Sequence, residues 1–111
     1  MRRLVILLLA AAFALPATAL ADGASDYATY CSTCHGTEGK GDGAAAAAMD
    51  PKPANLADKA FYATRDDATL TKAIKEGGPA VGKSAMMAPW GSVLKDDQIK
   101  AVITHMKTFV K

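Results

Sequence analysis

The chain has 111 residues, half of them hydrophobic, and a formal net charge of +2 at pH 7. It has no basic run and no interleaved aromatic pattern, which excludes a nucleic-acid surface. Of two cysteines and two histidines, three ligands crowd into residues 31–35, only His105 stands elsewhere and there is no second cysteine pair, which is not the spacing of an ordinary structural zinc site.

Arg2 and Arg3 open the chain, residues 4–15 are an apolar run, and Pro16 leads into Ala19-Leu20-Ala21. A charged start, a short apolar stretch and an A-x-A ending predict a secretory signal peptide over residues 1–21, cut after Ala21. The run falls short of the roughly 20 residues that a bilayer span needs, so no stable membrane insertion is expected after cleavage. What remains, residues 22–111, is one small domain of 111 − 21 = 90 residues. A domain of this size buries a modest core and commonly depends on a staple, a metal or a cofactor. Loss of Arg2 and Arg3 leaves 11 bases and 11 acids, unevenly placed. Residues 22–58 carry six acids against two bases, and residues 59–111 carry nine bases against five acids. An asymmetry of this kind can orient a docking partner.

In the first segment Tyr27, Tyr30, Cys31 and Cys34 recur at i, i+3, i+4 and i+7, one face of a helix. Gly36, Gly39, Gly41 and Gly43 break it into a loop. Residues 44–48 are alanines between Gly43 and Pro51, enough for a loop or a single turn. Pro51 and Pro53 keep the next residues extended. Residues 56–62 predict a short helix. Thr64 and Asp67 resemble a capping pair for a helix near 65–76 with Leu70, Ala73 and Ile74 on its apolar face. Gly77, Gly78 and Pro79 end that helix. A long loop over 77–92 holds Met86, Met87 and the sole tryptophan, Trp90. The last helix is the clearest, with Asp96 and Asp97 at its start and Ile99, Val102, Ile103, Met106 and Val110 at helical spacing. Nothing alternates at period two, so the predicted class is all-α.

The stretch C31-S-T-C-H35 has four readings. A disulfide across two residues closes a very small loop and constrains the unfolded chain little. A thioredoxin-like C-x-x-C sits on a βαβ scaffold, which is missing from the pattern. A zinc site would have to draw its fourth ligand from the distant His105, with no second cysteine pair to complete it. The fourth reading is the attachment of a c-type haem. Two thiols one helical turn apart can add to the vinyl groups on one side of a porphyrin, and the histidine behind them comes up under the iron. A signal peptide strengthens this reading, because such haem is attached outside the cytoplasm.

The segments CSTCHGTEGKGDG, KPANLAD, MMAPWG and LKDDQIKAVITHMKTF together resemble a class I bacterial cytochrome c, in particular the short domain found in subunits of cbb3-type oxidases. The resemblance covers the whole of residues 22–111. It implies a cytochrome c fold of three to five helices around one haem c, covalently bound through Cys31 and Cys34, with the first and last helices crossing. Gly23 and Tyr27 match the family's small and aromatic positions on the first helix, and residues 99–109 match the crossing helix. His35 is implied as one axial ligand.

For the sixth position, Met49 stands too near the attachment motif and Met106 sits on the apolar face of the last helix. Met86 and Met87 lie in a glycine- and proline-bounded loop from which a side chain can reach iron. The family's ligand methionine stands three residues before the aromatic of an M-P-x-W/F motif. Met87-Ala88-Pro89-Trp90 keeps that spacing and shifts the proline by one, which implies Met87, with Met86 as its competitor. The resemblance also implies that the Pro53 carbonyl accepts from the second ring nitrogen of His35, with Pro51 as the competitor. Leu56, Phe61, Leu70, Ile74 and Trp90 are expected against the porphyrin. His105 is read as structural.

The expectation is a monomeric periplasmic carrier that passes single electrons between redox partner proteins and is not itself an enzyme. His/Met ligation fills both axial positions and raises the potential relative to two nitrogen ligands. Two alternatives stand beside it. The chain could be a haem subunit of a larger oxidase or dehydrogenase complex, or a haem sensor or peroxidase whose methionine dissociates.

Overall fold

The computed structural model describes residues 22–111, so the expected signal segment lies outside the described residues. Five α-helices form in chain order: α1 (Gly23–Tyr30), α2 (Ser32–His35), α3 (Lys59–Ala63), α4 (Asp67–Glu76) and α5 (Asp96–Lys107). Single 3₁₀ turns occupy Ala46–Ala48, Gly78–Val81 and Trp90–Ser92. No strand occurs among the described residues, and the all-α expectation holds. No helix among them is long and apolar enough to cross a membrane.

The helix starts follow capping chemistry. Asp22 accepts from the Ser25 N–H at 3.1 Å and opens α1. The i, i+4 pattern that spans Tyr27 to Cys34 is divided at Cys31, so the expected single helix becomes α1 and α2 joined in near-helical register. The Cys31 N–H still donates to the Tyr27 carbonyl at 2.9 Å, and the His35 N–H to the Cys31 carbonyl at 2.9 Å. The cap of α4 is Asp66 and not Thr64. Its carboxylate accepts from the Thr69 N–H and the Thr69 hydroxyl, both at 2.8 Å, while Thr64 ends α3. A carboxylate directly before the helix satisfies a free N–H and favours the dipole, which outcompetes the more distant threonine.

The helices α1 and α5 cross and bury the centre of the core. Tyr27 from α1 meets Ile99, Val102, Ile103 and Met106 from α5, all buried. Val110 lies beyond the end of α5 and is half-buried. Gly23 permits the crossing: a Cβ there would collide with the Ala101 carbonyl of α5. Close backbone approach of this kind is what a glycine on a helix face provides. At the far end of the crossing Tyr27, His105 and Phe109 form an aromatic triad, with ring centroids 5.0–5.4 Å apart. Two exposed ion pairs run from α4 to α5, Lys75–Asp96 at 2.9 Å and Lys107–Asp67 at 2.5 Å. Solvent screens exposed pairs of this sort, so they contribute little to stability.

Candidate functional site

Between α1–α2 on one side and α4 with the loop after it on the other lies a cavity of about 600 Å³, a size suited to a large cofactor. Cys31 and Cys34 line it from α1–α2, followed directly by His35. Met86, Met87 and Trp90 line it from the long loop, and Leu56, Phe61, Leu70 and Ile74 complete apolar walls. The structure therefore gathers into one cavity side chains that are up to 79 residues apart in the chain (27 to 106).

The loop after α2 is tied back by its own backbone. Gly41 N–H donates to the His35 carbonyl at 2.7 Å, and Gly43 N–H donates to the Cys34 carbonyl at 3.1 Å. The Tyr27 hydroxyl donates to the Gly36 carbonyl at 2.6 Å. These bonds hold the two thiols and the imidazole at the cavity wall.

His35 Nδ1 lies 3.3 Å from the Ala54 carbonyl. A carbonyl only accepts, so Nδ1 carries the proton and Nε2 keeps its lone pair. Burial also pulls the imidazole below its ordinary pKa, with the Ala54 carbonyl opposing, so the neutral ring prevails. The expected acceptor was Pro53, and here the structure differs by one residue. Leu56 N–H donates to the Gly39 carbonyl at 2.6 Å and fixes the register of the segment, which turns the Ala54 carbonyl to the ring. The Pro53 carbonyl faces Gly41 instead, although Pro53 itself, like Pro51, lines the cavity.

Cys31 is buried and Cys34 half-buried, and both are free thiols. Burial pushes the Cys31 thiol up to about 11, with Asp26 and Cys34 adding to the shift. A thiol exchange catalyst needs a depressed thiol pKa, so this environment disfavours that chemistry.

Met87 is half-buried and packs on the core, whereas Met86 is 56% exposed. The Met87 carbonyl accepts from the Gly78 N–H at 2.9 Å, and its N–H donates to the Ser84 carbonyl at 3.2 Å. The loop is clasped to the first helix by Trp90, whose ring lies 5.3 Å from that of Tyr30. His105 does not line the cavity. The donor set is therefore chemically complete for a covalently held haem: two thiols, a neutral imidazole with a free nitrogen and a thioether, set in apolar walls.

Several lining residues carried no sequence signal. Met49, set aside as too near the motif, is buried and lines the cavity. The fold of the glycine-rich loop returns it to the wall, a long-range effect that no local pattern encodes. Lys52, Arg65 and Lys83 also reach the lining.

A family described as cytochrome c oxidase, cbb3-type, subunit III matches residues 18–106. The chain is 31% identical over 86 residues to the cbb3-type cytochrome c oxidase subunit FixP of Azorhizobium caulinodans. That match covers 78% of this chain and 26% of the relative, so the chain spans about a quarter of the length of that protein. Among solved structures, the KustC0563 c-type cytochrome matches with a TM-score of 0.66 and 28% identity, covering 81% of this chain and 99% of the other. A chain of the Kuenenia stuttgartiensis reducing HAO-like protein complex Kustc0457/Kustc0458 matches with a TM-score of 0.64 and 33% identity, covering 80% of this chain and 41% of the other. The fold, the gathered donor set and these likenesses agree: the chain belongs to the cbb3-type cytochrome c oxidase subunit III family and is a class I c-type cytochrome domain, an electron-transfer protein.

Proposed function

We propose that the chain is a periplasmic single-electron carrier with one haem c, attached through Cys31 and Cys34 and held axially by His35 and Met87. The observation that carries this reading is the convergence of all four side chains on one apolar cavity. The bound haem supplies one-electron exchange between ferric and ferrous iron. The chain holds the imidazole through Ala54, presents the Met87 thioether from a loop pinned at Gly78, and excludes water with Leu56, Leu70 and Ile74. With His35 and Met87 both holding the group, the chain would leave no position on it for a substrate. The half-burial and backbone bonding of Met87 support it over the exposed Met86. Residues 1–21 serve in this reading as the export signal.

A second reading makes the domain a fixed haem subunit of a larger oxidoreductase complex. It is favoured by the names of its relatives, an oxidase subunit and a chain of a protein complex.

The test is a reduced-minus-oxidised visible spectrum of protein from a host that attaches c-type haem, for wild type and Met87→Ala. The carrier reading expects a sharp reduced α-band, and a ferric methionine-to-iron charge-transfer band that disappears in Met87→Ala. Immediate binding of carbon monoxide by the wild type would show an open sixth position and sink it. Elution at the size of one chain favours the carrier; co-elution with large partners favours the subunit.

A further inference from the structure

We infer that Phe109 and Tyr62, neither of which lines the cavity, are positioning residues for His35, and that together they set the hydrogen bond its ring gives to Ala54. The inference rests on the reading of His35 as an axial ligand, because only then does that bond bear on the reduction potential.

The Ala54 carbonyl lies 3.3 Å from Nδ1 of His35. That separation stands at the long end of N–H···O bonds, where a small shift changes the strength steeply. The carbonyl is placed by Leu56, two residues on, which is bonded through both of its backbone groups. The Leu56 N–H donates to the Gly39 carbonyl at 2.6 Å, and the Leu56 carbonyl accepts from the Tyr62 hydroxyl at 2.8 Å. Tyr62 stands in α3, and its ring meets the edge of Phe61, a residue of the cavity wall, with centroids 4.9 Å apart. Tyr62 therefore ties the segment before α3 to the helix itself.

Gly39 is seated in turn by the far end of the chain. Its φ is +76°, and a Cβ there would stand 2.6 Å from Cδ2 of Phe109 and 3.1 Å from Cβ of Leu56. Only glycine lets the Phe109 ring lie this close to the backbone. Phe109 follows the end of α5, where its N–H donates to the Met106 carbonyl at 3.1 Å. Its ring meets those of Tyr27 and His105, each at 5.0 Å, so both crossing helices hold it against the turn. A side chain 74 residues beyond His35 (109 − 35) thus reaches its ring through Gly39, Leu56 and Ala54.

Donation from Nδ1 to a carbonyl makes Nε2 the stronger electron donor, which favours ferric iron. Slackening residues 54–56 weakens that donation and raises the potential. Admission of water to the cavity would stabilise the more charged ferric form and lower it, so the sign separates the two effects.

The test measures the reduction potential of the holoprotein and, in its ferrous form, exchange of the His35 Nδ1 proton by nuclear magnetic resonance. Phe109→Ala and Tyr62→Phe should each raise the potential, increasing the ferrous-to-ferric ratio at a fixed applied potential about threefold, less than the roughly tenfold effect of deleting an outer-shell partner outright. Both should hasten exchange of the Nδ1 proton. Phe109→Tyr, which keeps the ring, should behave as wild type. Val102→Ala, buried in the same helix crossing and clear of the cavity, should lose stability and move neither readout. Unchanged potential and exchange in Phe109→Ala or in Tyr62→Phe would overturn the inference. So would a fall in potential, or an equal shift in Val102→Ala. Should Phe109→Ala fail to fold, Phe109→Leu takes its place under the same criteria. The haem spectrum separates the two readings. A normal spectrum with an unmoved potential strikes the positioning roles alone, whereas absence of haem strikes the site, and the positioning roles fall with it.

Discussion

The Tyr27 hydroxyl donates to the Gly36 carbonyl at 2.6 Å, so a buried side chain of α1 closes the turn that follows the C-x-x-C-H segment. Deleting that hydroxyl in Tyr27→Phe leaves the Gly36 carbonyl with only the Gly39 N–H, at 3.2 Å. The expected cost is about 0.5–1.5 kcal/mol at neutral pH, measured by denaturant unfolding of the holoprotein.

The same residue sets an alkaline limit. Burial raises the Tyr27 phenol well above its ordinary value of 10.0, and burial pushes Tyr62 up to about 12. Both groups are neutral in the folded and unfolded chains below pH 10. Above that, the unfolded chain loses its phenolic protons first, so stability falls as pH rises through about 10 towards 12. Thermal midpoints measured from pH 8 to pH 12 should drop along this limb and drop less steeply in Tyr27→Phe. An equal slope in that variant would assign the limb to other groups.

The position of Met87 depends on Gly78, which is buried and donates to the Met87 carbonyl. A Cβ at Gly78 would stand 3.0 Å from Met87 Cβ and would collide with the Ser84 carbonyl. Gly78→Ala should therefore push the methionine loop off its seat at a cost of about 1–3 kcal/mol. The readout that separates this from general destabilisation is ligation: the ferric charge-transfer band should weaken while the α-band from the attached haem persists. A full-strength band in Gly78→Ala would show that the loop adapts.

Much of this site could be read from residue order, because its chemistry is local. Cys31, Cys34 and His35 sit in one turn, and Met87 keeps its spacing to Trp90. The α5 face was legible for a similar reason, since Ile99, Val102, Ile103 and Met106 repeat at helical period and are all buried. The misses are long-range. The partner of the His35 ring moved from Pro53 to Ala54 because a bond from Leu56 to Gly39, 17 residues apart, sets the register (56 − 39). Met49 reached the cavity through the path of the glycine-rich loop. Lys52, Arg65 and Lys83 share no local pattern, and only the folded chain brings them to one cavity.

The crossing of α1 and α5 gives a sharper test of the fold than any core truncation. Gly23 faces the Ala101 carbonyl so closely that the smallest side chain has no room. Gly23 also lies in the first turn of α1, where replacement by alanine would otherwise favour the helix slightly. Gly23→Ala should nonetheless destabilise the protein by about 1–3 kcal/mol or more, because two helix backbones must move apart. A neutral or stabilising result in chemical denaturation would mean that propensity wins and that the crossing is looser than this geometry.

The cavity also determines what the chain does without its cofactor. The cavity of about 600 Å³ is lined largely by apolar side chains that only a bound cofactor would cover, and a domain of this size has little other core to set against their exposure. The walls cannot simply close, because Leu56 faces the space from the segment before α3, Leu70 and Ile74 from α4, and Met87 from the loop after it. The chain with Cys31→Ser and Cys34→Ser, purified without haem, should therefore be largely unfolded. Far-ultraviolet circular dichroism of that chain beside the holoprotein measures it directly. Equal helicity in the two, with a cooperative melt in the haem-free chain, would show that α1 and α5 fold on their own contacts and that the cofactor is not the centre of the core.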